Sequence, residues 1–319
     1  MTAASADGAI EGGSRICAPE KTWSRLEPLL PAFGIARVAD ITGLDRIGIP
    51  VFMACRPNSR SLSVFQGKGL TAAAARVSAA MEAYETWCAE RIEAPLKLAS
   101  IDQLRFSHPL ADIDGLALST AAGPDFQQPI LWIEAADLLG GGMKWLPFET
   151  VHANYALPEP PHSGAFTATT NGLASGNSAE EAVLHALLEV VERDATTLWK
   201  LGEHAWSGAT AVDLATVSGA PRHLLDLFEA AKISVAVWDC RSDVGIPTFL
   251  CLIHDRTGET GADEIGCGTH TVTEIALVRA LTEAAQARCT YVAGAREDIT
   301  ARDYTSAAIN ERRERAMRV

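Results

Sequence analysis

The stretch NGLASGNSAEEAVLHALLEVVERDATTLW, residues 171–199, decides how this chain is interpreted. It has the pattern of a helix, and Glu181, Glu189 and Glu192 fall on one side of it, because side chains three and four positions apart are neighbours. Only Glu189 has a basic residue four positions away, Arg193. A solvated helix face usually mixes acidic with basic side chains, so this stripe of glutamates predicts another source of positive charge.

The composition is that of an acidic chain that can bury a large core. The 319 residues include 48% hydrophobic residues, which predicts one domain over residues 19–319. Residues 1–18 are mostly small and polar, which predicts a flexible N-terminal arm. The formal net charge of −13 argues against a nucleic-acid partner, because phosphate backbones attract Lys and Arg. The seven cysteines form no C-x-x-C pair, and neither a signal peptide nor a run of 18 apolar residues occurs. We therefore expect a cytoplasmic protein with no membrane partner.

Strands alternate with helices along the chain. Candidate strands are residues 48–55, 129–139, 141–152, 233–240 and 245–255, and candidate helices are residues 21–30, 71–91, 171–199, 221–232 and 272–292. The pentapeptides GIPVF (48–52) and GIPTF (245–249) each precede a glycine turn, GKG or GCG, and then an Ala-rich helix. This order indicates either an internal repeat of strand, glycine turn and helix or a chance similarity. The alternation predicts a mixed α/β or α+β fold with sheets packed by Ala-rich helices.

Three of the predicted helices carry a polar stripe at helical spacing. The stripes are Ser78, Glu82 and Glu85; Glu181, His185, Glu189 and Glu192; and Arg279, Glu283 and Gln286. The second and third stripes also have ordinary explanations: Glu189–Arg193 and Arg279–Glu283 are surface ion pairs worth about 0.3–0.5 kcal/mol each, and Ser178 with Glu181 forms a capping box. If the stripes converge, six carboxylates share one cavity, which requires protonation or bound cations.

The chemistry of the stripes points to a metal and an anion. Carboxylate oxygens suit Mg²⁺, which proteins bind together with water and substrate phosphates. Lys68, Arg193 and Arg279 are the candidate anion contacts beside the metal. The sequence contains no P-loop and no G-x-S-x-G motif. The stripes therefore predict a nucleotide-triphosphate site built on helix faces.

Three separated motifs resemble the YcaO family. They are GKGLTAAAARVSAAMEAYE, NGLASGNSAEEAVLHALLEVVERDA and GCGTHTVTEIALVRALTEAAQAR…GAREDI, and the resemblance runs from about residue 40 to 300. It implies a YcaO-type fold and ATP-dependent modification of peptide backbone amides at a Mg²⁺–ATP site. One local departure is Thr86, where the family often has Arg after the second Glu of its first element.

The resemblance assigns roles to residues of the three stripes and their neighbours. It implies cofactor contacts at Lys68, Ser78, Glu82, Glu85, Asn177, Glu181, Glu189, Glu192, Arg193, Arg279, Glu283 and Gln286. The implied metal ligands are Glu82, Glu85, Glu189, Glu192 and Glu283, and the candidate catalytic residues are Glu192, Arg193 and Arg279.

Residues 40–69 resemble the branch of the family that works with a TfuA-like partner protein and forms thioamides with an external sulfur donor. The implied mechanism begins when a sulfur nucleophile adds to the amide carbon. The resulting oxyanion then attacks the γ-phosphate of ATP, and phosphate leaves with the former amide oxygen. The resemblance also implies a peptide or protein substrate and a homodimer.

Two alternative functions remain open. One is an azoline-forming cyclodehydratase, in which a Cys, Ser or Thr of the substrate supplies the nucleophile. The chain ends without the P-x-P-x-P tail of many azoline-forming members, which argues against that activity or indicates a truncated chain. The other alternative is a nucleotide-binding accessory protein without peptide chemistry of its own.

Overall fold

The computed structural model describes residues 15–119, 125, 127–159, 163–203, 205–258, 263–305 and 307–310. Residues 1–14 of the predicted flexible arm and the C-terminal residues 311–319 lie outside the described part. The described chain divides into two compact units, one made of the residues up to Tyr84 and from Ala174 onward, the other of Glu85–Leu173. The single domain predicted for residues 19–319 therefore stays a prediction.

Six helices and nine strands are present in the described residues. In chain order they are α1 (Pro19–Leu26), β1 (Arg37–Asp40), β2 (Val51–Cys55), β3 (Val64–Lys68), α2 (Ala72–Glu90), β4 (Leu96–Ser100), α3 (Ile101–Arg105), β5 (Pro129–Ala136), β6 (Met143–Pro147), α4 (Ala179–Leu201), α5 (Gly219–Ala230), β7 (Ile233–Asp239), β8 (Thr248–Asp255), β9 (Glu264–Thr269) and α6 (Thr273–Ala293). No helix in this part of the chain is long and apolar enough to cross a membrane.

The strands form three sheets of three strands each, in the orders β1-β2-β3, β4-β5-β6 and β7-β8-β9. Every pair of neighbouring strands is antiparallel. The second compact unit contains the β4-β5-β6 sheet, and the first contains the other two. The mixed fold class predicted from the sequence is confirmed, and the antiparallel pairing makes α+β the better of the two descriptions.

The structure favours an internal repeat over chance similarity of the two pentapeptides. Strands β1–β3 with α2, and strands β7–β9 with α6, have the same order and the same antiparallel pairing. Gly48 and Gly245 begin the two GIP turns with left-handed φ angles of 80° and 76°. The carbonyl of the proline in each turn then accepts a backbone N–H, from Gly69 at 3.4 Å in one copy and from His270 at 3.2 Å in the other.

The prediction that GKG and GCG are turns is wrong for Gly67 and Lys68, which lie in β3, and for all of GCG, which lies in β9, whereas Gly69 follows the end of β3. Gly67 belongs to β3 and Gly266 to β9. A Cβ atom at Gly67 would lie 1.9 Å from the backbone nitrogen of Ala79, and one at Gly266 would lie 2.2 Å from that of Ala284. The glycines are therefore needed where a helix backbone lies directly on a strand, not where the chain reverses.

The same close approach explains the alanine-rich helices. Ala75 and Ala79 in α2, and Ala280 and Ala284 in α6, are all 0% exposed. Larger side chains at these positions would separate the helix from its sheet, because packed interiors leave no free volume. Strands β1, β3, β4 and β9 were not predicted: β3 and β9 contain the segments predicted as glycine turns, and β1 and β4 fall outside the predicted strands.

Candidate functional site

Helix α4 begins with a cap that is only half of the predicted capping box. The Ser178 hydroxyl accepts the Glu181 N–H at 3.2 Å. The Glu181 carboxylate does not return the contact, because it accepts the Arg15 guanidinium at 3.0 Å and the Ile16 N–H at 3.1 Å. Asn177 also donates to it, at 3.3 Å. Glu181 is thereby 8% exposed and is held by the segment that precedes α1.

Lys68 and Glu283 form the ion pair at the centre of the site. The Lys68 ammonium, at the end of β3, lies 2.8 Å from Oε2 of Glu283 in α6. The other carboxylate oxygen of Glu283 accepts the Cys267 N–H of β9 at 3.3 Å. Burial raises the pKa of Glu283, but Lys68 and the Cys267 N–H outweigh it, so the pKa lies below its ordinary value. Glu283 is therefore ionised at neutral pH.

Glu192 has the least satisfied carboxylate of the site. It is 4% exposed, and among the described residues its Oε2 has no hydrogen-bond partner. Burial raises its pKa, and the nearby charge of Glu283 raises it further, against the opposing effect of Arg279 and Lys68. Glu189, one turn earlier on α4, also has a raised pKa, first through burial. An unsatisfied buried carboxylate is costly, which indicates that a cation completes the site.

Cationic and neutral groups face these carboxylates. The Nε of Arg279 is buried and has no partner in the described part of the chain. Burial and the charges of Arg279 and Arg15 lower the pKa of His185 to about 3, so its imidazole is neutral. The Nδ1 of His270 accepts the Val272 N–H at 2.9 Å, and burial lowers its pKa as well. The positive charge of the site therefore comes from Lys68, Arg279, Arg193 and Arg15.

The structure brings together several of the predicted site residues. Glu189, Glu192, Arg193, Arg279, Glu283 and Lys68 act on one another's charges. The backbone of Ser78 lies against Gly67, beside Lys68. Glu82 is exposed, and its charge helps to raise the pKa of Arg296.

Gln286 and Glu85 are two further predicted site residues. Gln286 is half-buried in α6, one turn after Glu283. Glu85 belongs to the second compact unit. Among the residues described, no group of three or more His, Cys, Asp or Glu side chains is arranged to hold a metal ion by itself. The five-glutamate metal set remains a prediction, and fewer carboxylates would suffice, since Mg²⁺ commonly binds one or two carboxylates together with phosphate oxygens and water.

Sequence reasoning missed Arg15 and the Cys267 N–H. Arg15 falls in the segment that was predicted to be a flexible arm, and its composition gives no sign of a contact with Glu181. The Cys267 contact is made by the backbone, so it depends on strand β9, which was predicted as a turn. No residue pattern encodes either contact.

Removing the Lys68 charge is expected to lower the free energy of unfolding near neutral pH, by an amount that decreases in acid. Because the pKa of Glu283 is lowered in the folded state, its stabilisation is present above the ordinary value of 4.5 and is lost as pH falls through the lowered pKa. Lys68→Met should therefore unfold at lower urea concentration than the wild type near neutral pH, with the difference shrinking in acid. Lys68→Arg, which keeps the charge, is the control. A difference that stays constant with pH would contradict this origin.

The site combines buried carboxylates with basic groups, and both are carried by helices that lie on antiparallel sheets. These features are typical of a protein that binds a charged ligand. Such a site suits an anionic ligand that brings its own metal cation. The family model of the YcaO cyclodehydratases, described as binding ATP and Mg²⁺, matches residues 66–319. A protein of the tfuA 3′ region of Rhizobium leguminosarum bv. trifolii is 38% identical over 310 residues, covering 94% of this chain and 72% of the relative.

A second relative and two solved structures are also similar to this chain. A Methanothermobacter thermautotrophicus protein is 38% identical over 308 residues, covering 94% of this chain and 77% of its own. The YcaO structure from Methanopyrus kandleri bound with AMPPCP and Mg²⁺ has a TM-score of 0.69 at 26% identity, over 88% of this chain and 69% of that one. A heterocyclase solved with substrate and cofactor shares the fold, with a TM-score of 0.72 at 24% identity, over 87% of this chain and 41% of that chain.

This chain belongs to the YcaO family. Members of that family are ATP-dependent peptide-modifying enzymes, and ATP and Mg²⁺ are their cofactors.

Proposed function

We propose that this chain modifies a peptide backbone amide by ATP-dependent O-phosphorylation and forms a thioamide, using an external sulfur donor and a TfuA-like partner. The support for the thioamide branch is the 38% identity to the protein of the tfuA 3′ region, which extends over 94% of this chain. The support for phosphoryl chemistry is the mixed site of carboxylates and basic groups. The substrate is a peptide or protein.

The observation that carries this proposal is Glu192, which is 4% exposed and whose Oε2, within the described part of the chain, has no hydrogen-bond partner; its charge interacts with that of Glu283 in the Lys68–Glu283 pair. A buried carboxylate next to a second, ionised carboxylate repels it unless a cation lies between or near them. Magnesium bound to a triphosphate supplies that cation. The phosphate oxygens supply a hydrogen-bond acceptor for the buried Nε of Arg279, which has none among the described residues. The residues present therefore fit the cofactors of the family.

Each residue has a task that its position allows. Glu192, Glu189 and Glu283 would hold the metal, since their carboxylates act on one another's charge. Lys68 and Arg279 would orient the phosphate oxygens, and Arg193, which is 54% exposed and 4.0 Å from Glu189, would approach from the rim. Bound Mg²⁺–ATP supplies an activated phosphoryl group that turns the amide oxygen into a leaving group. Neutral His185 and His270 add no further charge to the site.

The buried Cys267 and Cys240 are not proposed as sulfur carriers. Burial, and secondarily the charges of Glu283 and Glu192, raise the pKa of Cys267 to about 12. Burial likewise raises the pKa of Cys240 to about 12. A thiol is nucleophilic as the thiolate, so these groups are inert at neutral pH. We therefore propose that sulfur comes from outside the chain.

Azoline formation is the second candidate, because the matching family model is that of the cyclodehydratases and a structural neighbour is a heterocyclase. In that reaction the nucleophile belongs to the substrate peptide, and the site of this chain would perform the same phosphoryl transfer. The two reactions differ in the product and in the need for a sulfur source.

Mass spectrometry of a peptide substrate is expected to show replacement of one oxygen by sulfur, which makes the peptide heavier. The reaction should require ATP, Mg²⁺, a sulfur source and the TfuA-like partner, because the proposed nucleophile is external. Loss of water without added sulfur would instead identify the azoline reaction. Saturable Mg²⁺–ATP binding by calorimetry with no modified peptide under any condition would favour the accessory protein.

A further inference from the structure

A cleft lies beside the outer edge of strand β7, in the first compact unit. One wall is the segment 209–212, which runs antiparallel to β7: the Val212 N–H donates to the Val237 carbonyl at 2.8 Å, and Ala211 forms a bridge with Trp238. The volume of the cleft is about 540 Å³, which is within the range of small-molecule sites. The described residues that line it are Ala209, Thr210, Ala211, Val212, Asp239 and Arg241, and none of them is assigned to the nucleotide.

Three tryptophans hold this wall in place. The ring centres of Trp199, Trp206 and Trp238 lie 5.1–5.9 Å from one another. The Nε1 of Trp199 donates to the Thr210 hydroxyl at 3.0 Å, and that of Trp238 donates to the Ser207 carbonyl at 3.1 Å. Trp206 has a φ angle of 61°, which a bulky side chain rarely adopts. Such strain persists only where the surrounding contacts enforce it, and it is concentrated at ligand sites, so the wall is preorganised.

The polar side chains of the cleft keep capacity for a ligand. The Nη2 of Arg241 lies 3.2 Å from Oδ2 of Asp239, and the Arg241 backbone N–H donates to Oδ1 at 3.0 Å. The Nε and Nη1 of Arg241 have no hydrogen-bond partner in the described part of the chain. The Thr210 hydroxyl accepts the Trp199 N–H, so its own hydrogen can be donated to a ligand. The side chains of Arg241 and Asp239 are 42% and 37% exposed, which makes both accessible.

We propose that this cleft binds the carboxylate and the adjacent N–H of an amino acid or of a peptide C-terminus. The guanidinium of Arg241 and the hydroxyl of Thr210 donate to the carboxylate, since a guanidinium edge matches two carboxylate oxygens. Asp239 accepts the ligand's ammonium or amide N–H. The pair of opposite charges fits a ligand that carries both a donor and an anion, whereas Asp239 would repel a purely anionic ligand. The small side chains of Ala209 and Ala211 leave room for the ligand's Cα. Binding here needs neither ATP nor a sulfur donor, so it stands apart from the proposed function.

Tryptophan fluorescence and calorimetry test the chemistry of the ligand, with L-alanine, trialanine and trialanine amide as probes and no nucleotide present. We expect L-alanine or trialanine to bind saturably with a dissociation constant of about 1 mM or tighter, and trialanine amide to bind about tenfold more weakly than trialanine or less. Tighter binding of trialanine identifies a peptide C-terminus as the ligand, and tighter binding of L-alanine identifies a free amino acid. No saturable binding of either probe would overturn the proposal, and so would equal binding of trialanine and its amide.

A pair of arginine variants tests the cleft itself. Arg241→Gln should weaken binding of the better probe by about tenfold or more, because the charge and the bidentate edge are lost. Arg256→Gln is the matched control: the Arg256 side chain is also 42% exposed and also pairs with an acid, Glu229, but it lies outside the cleft. It should leave the affinity unchanged. Circular dichroism confirms that both variants fold. Wild-type affinity in a folded Arg241→Gln protein, or an equal loss in Arg256→Gln, would overturn the proposal.

Discussion

The Glu192→Gln variant is expected to fold and to lose ATP turnover by about 10²–10³-fold or more, the cost of removing one preorganised charged contact at a reacting phosphate. Glutamine fills the same volume but supplies no negative charge, so metal binding weakens while packing against β9 persists. ATP hydrolysis, measured with and without peptide, gives the result directly. Turnover and product formation at the wild-type level would remove Glu192 from the site.

The same substitution should raise stability. The pKa of Glu192 lies above its ordinary value of 4.5 in the folded protein, through burial and then the charge of Glu283. The wild type therefore loses stability as pH rises from that value through the raised pKa, whereas Gln does not titrate. We expect the melting temperature of Glu192→Gln to exceed that of the wild type at neutral pH, with the gap closing in acid.

The control for both effects lies on the same helix. Glu180→Gln removes a carboxylate from an exposed position in the first turn of α4. It should leave turnover unchanged, and it should not produce a stability gain that grows with pH. A gain in melting temperature without loss of turnover in Glu192→Gln would show that the buried carboxylate is structural only.

The Gly67→Ala variant is expected to destabilise the first compact unit by about 3 kcal/mol or more, since overpacking against backbone cannot be relieved by rotating a side chain. The added Cβ would lie 1.9 Å from the Ala79 nitrogen and 2.4 Å from the Ala75 carbonyl oxygen. Helix α2 must therefore move away from β3, which also displaces Ser78 from its place beside Lys68. Urea unfolding measures the loss of stability.

Gly43→Ala is the matched control for Gly67→Ala. A Cβ at Gly43 meets no heavy atom within 4 Å, and its backbone does not require a left-handed φ. We expect a change between zero and a small gain of about 0.4–1 kcal/mol, because alanine restricts the unfolded chain. Gly266→Ala should repeat the large loss, through the Ala284 nitrogen at 2.2 Å. Stable Gly67→Ala and Gly266→Ala proteins would contradict the close packing of both repeats.

Helix faces could be predicted from local spacing, and the predictions for α2, α4 and α6 agree with the observed helices to within a few residues except at the start of α4. The segment quoted first was predicted as helix from residue 171, whereas α4 begins at Ala179 after the Ser178 cap. Residues 171–178 form turns and irregular backbone, and the glycines at 172 and 176 do not favour helix.

The strands were harder to predict from the sequence. Strand β3 contains the first two residues of the GKG segment, and β9 contains the GCG segment. In a sequence without structural information, such glycines indicate a turn, because the helix backbone that packs against them cannot be seen. What selects a strand here is the alanine face of a helix later in the chain. That contact joins residues far enough apart in the sequence that the residues next to the glycine do not reveal it.

The sequence by itself determined the helices, their polar stripes and the family motifs, because helical periodicity acts over three or four residues and is written in the local order of side chains. Only the tertiary structure decided which charges meet: Lys68 with Glu283 across 215 positions, and Arg15 with Glu181 across 166. It also left one oxygen of Glu192 without a hydrogen-bond partner among the residues that the structure describes. These charge contacts depend on how closely helices α2 and α6 lie on their sheets. The glycines of the strands and the alanines of the helices permit that close approach only when helix and sheet are folded against each other.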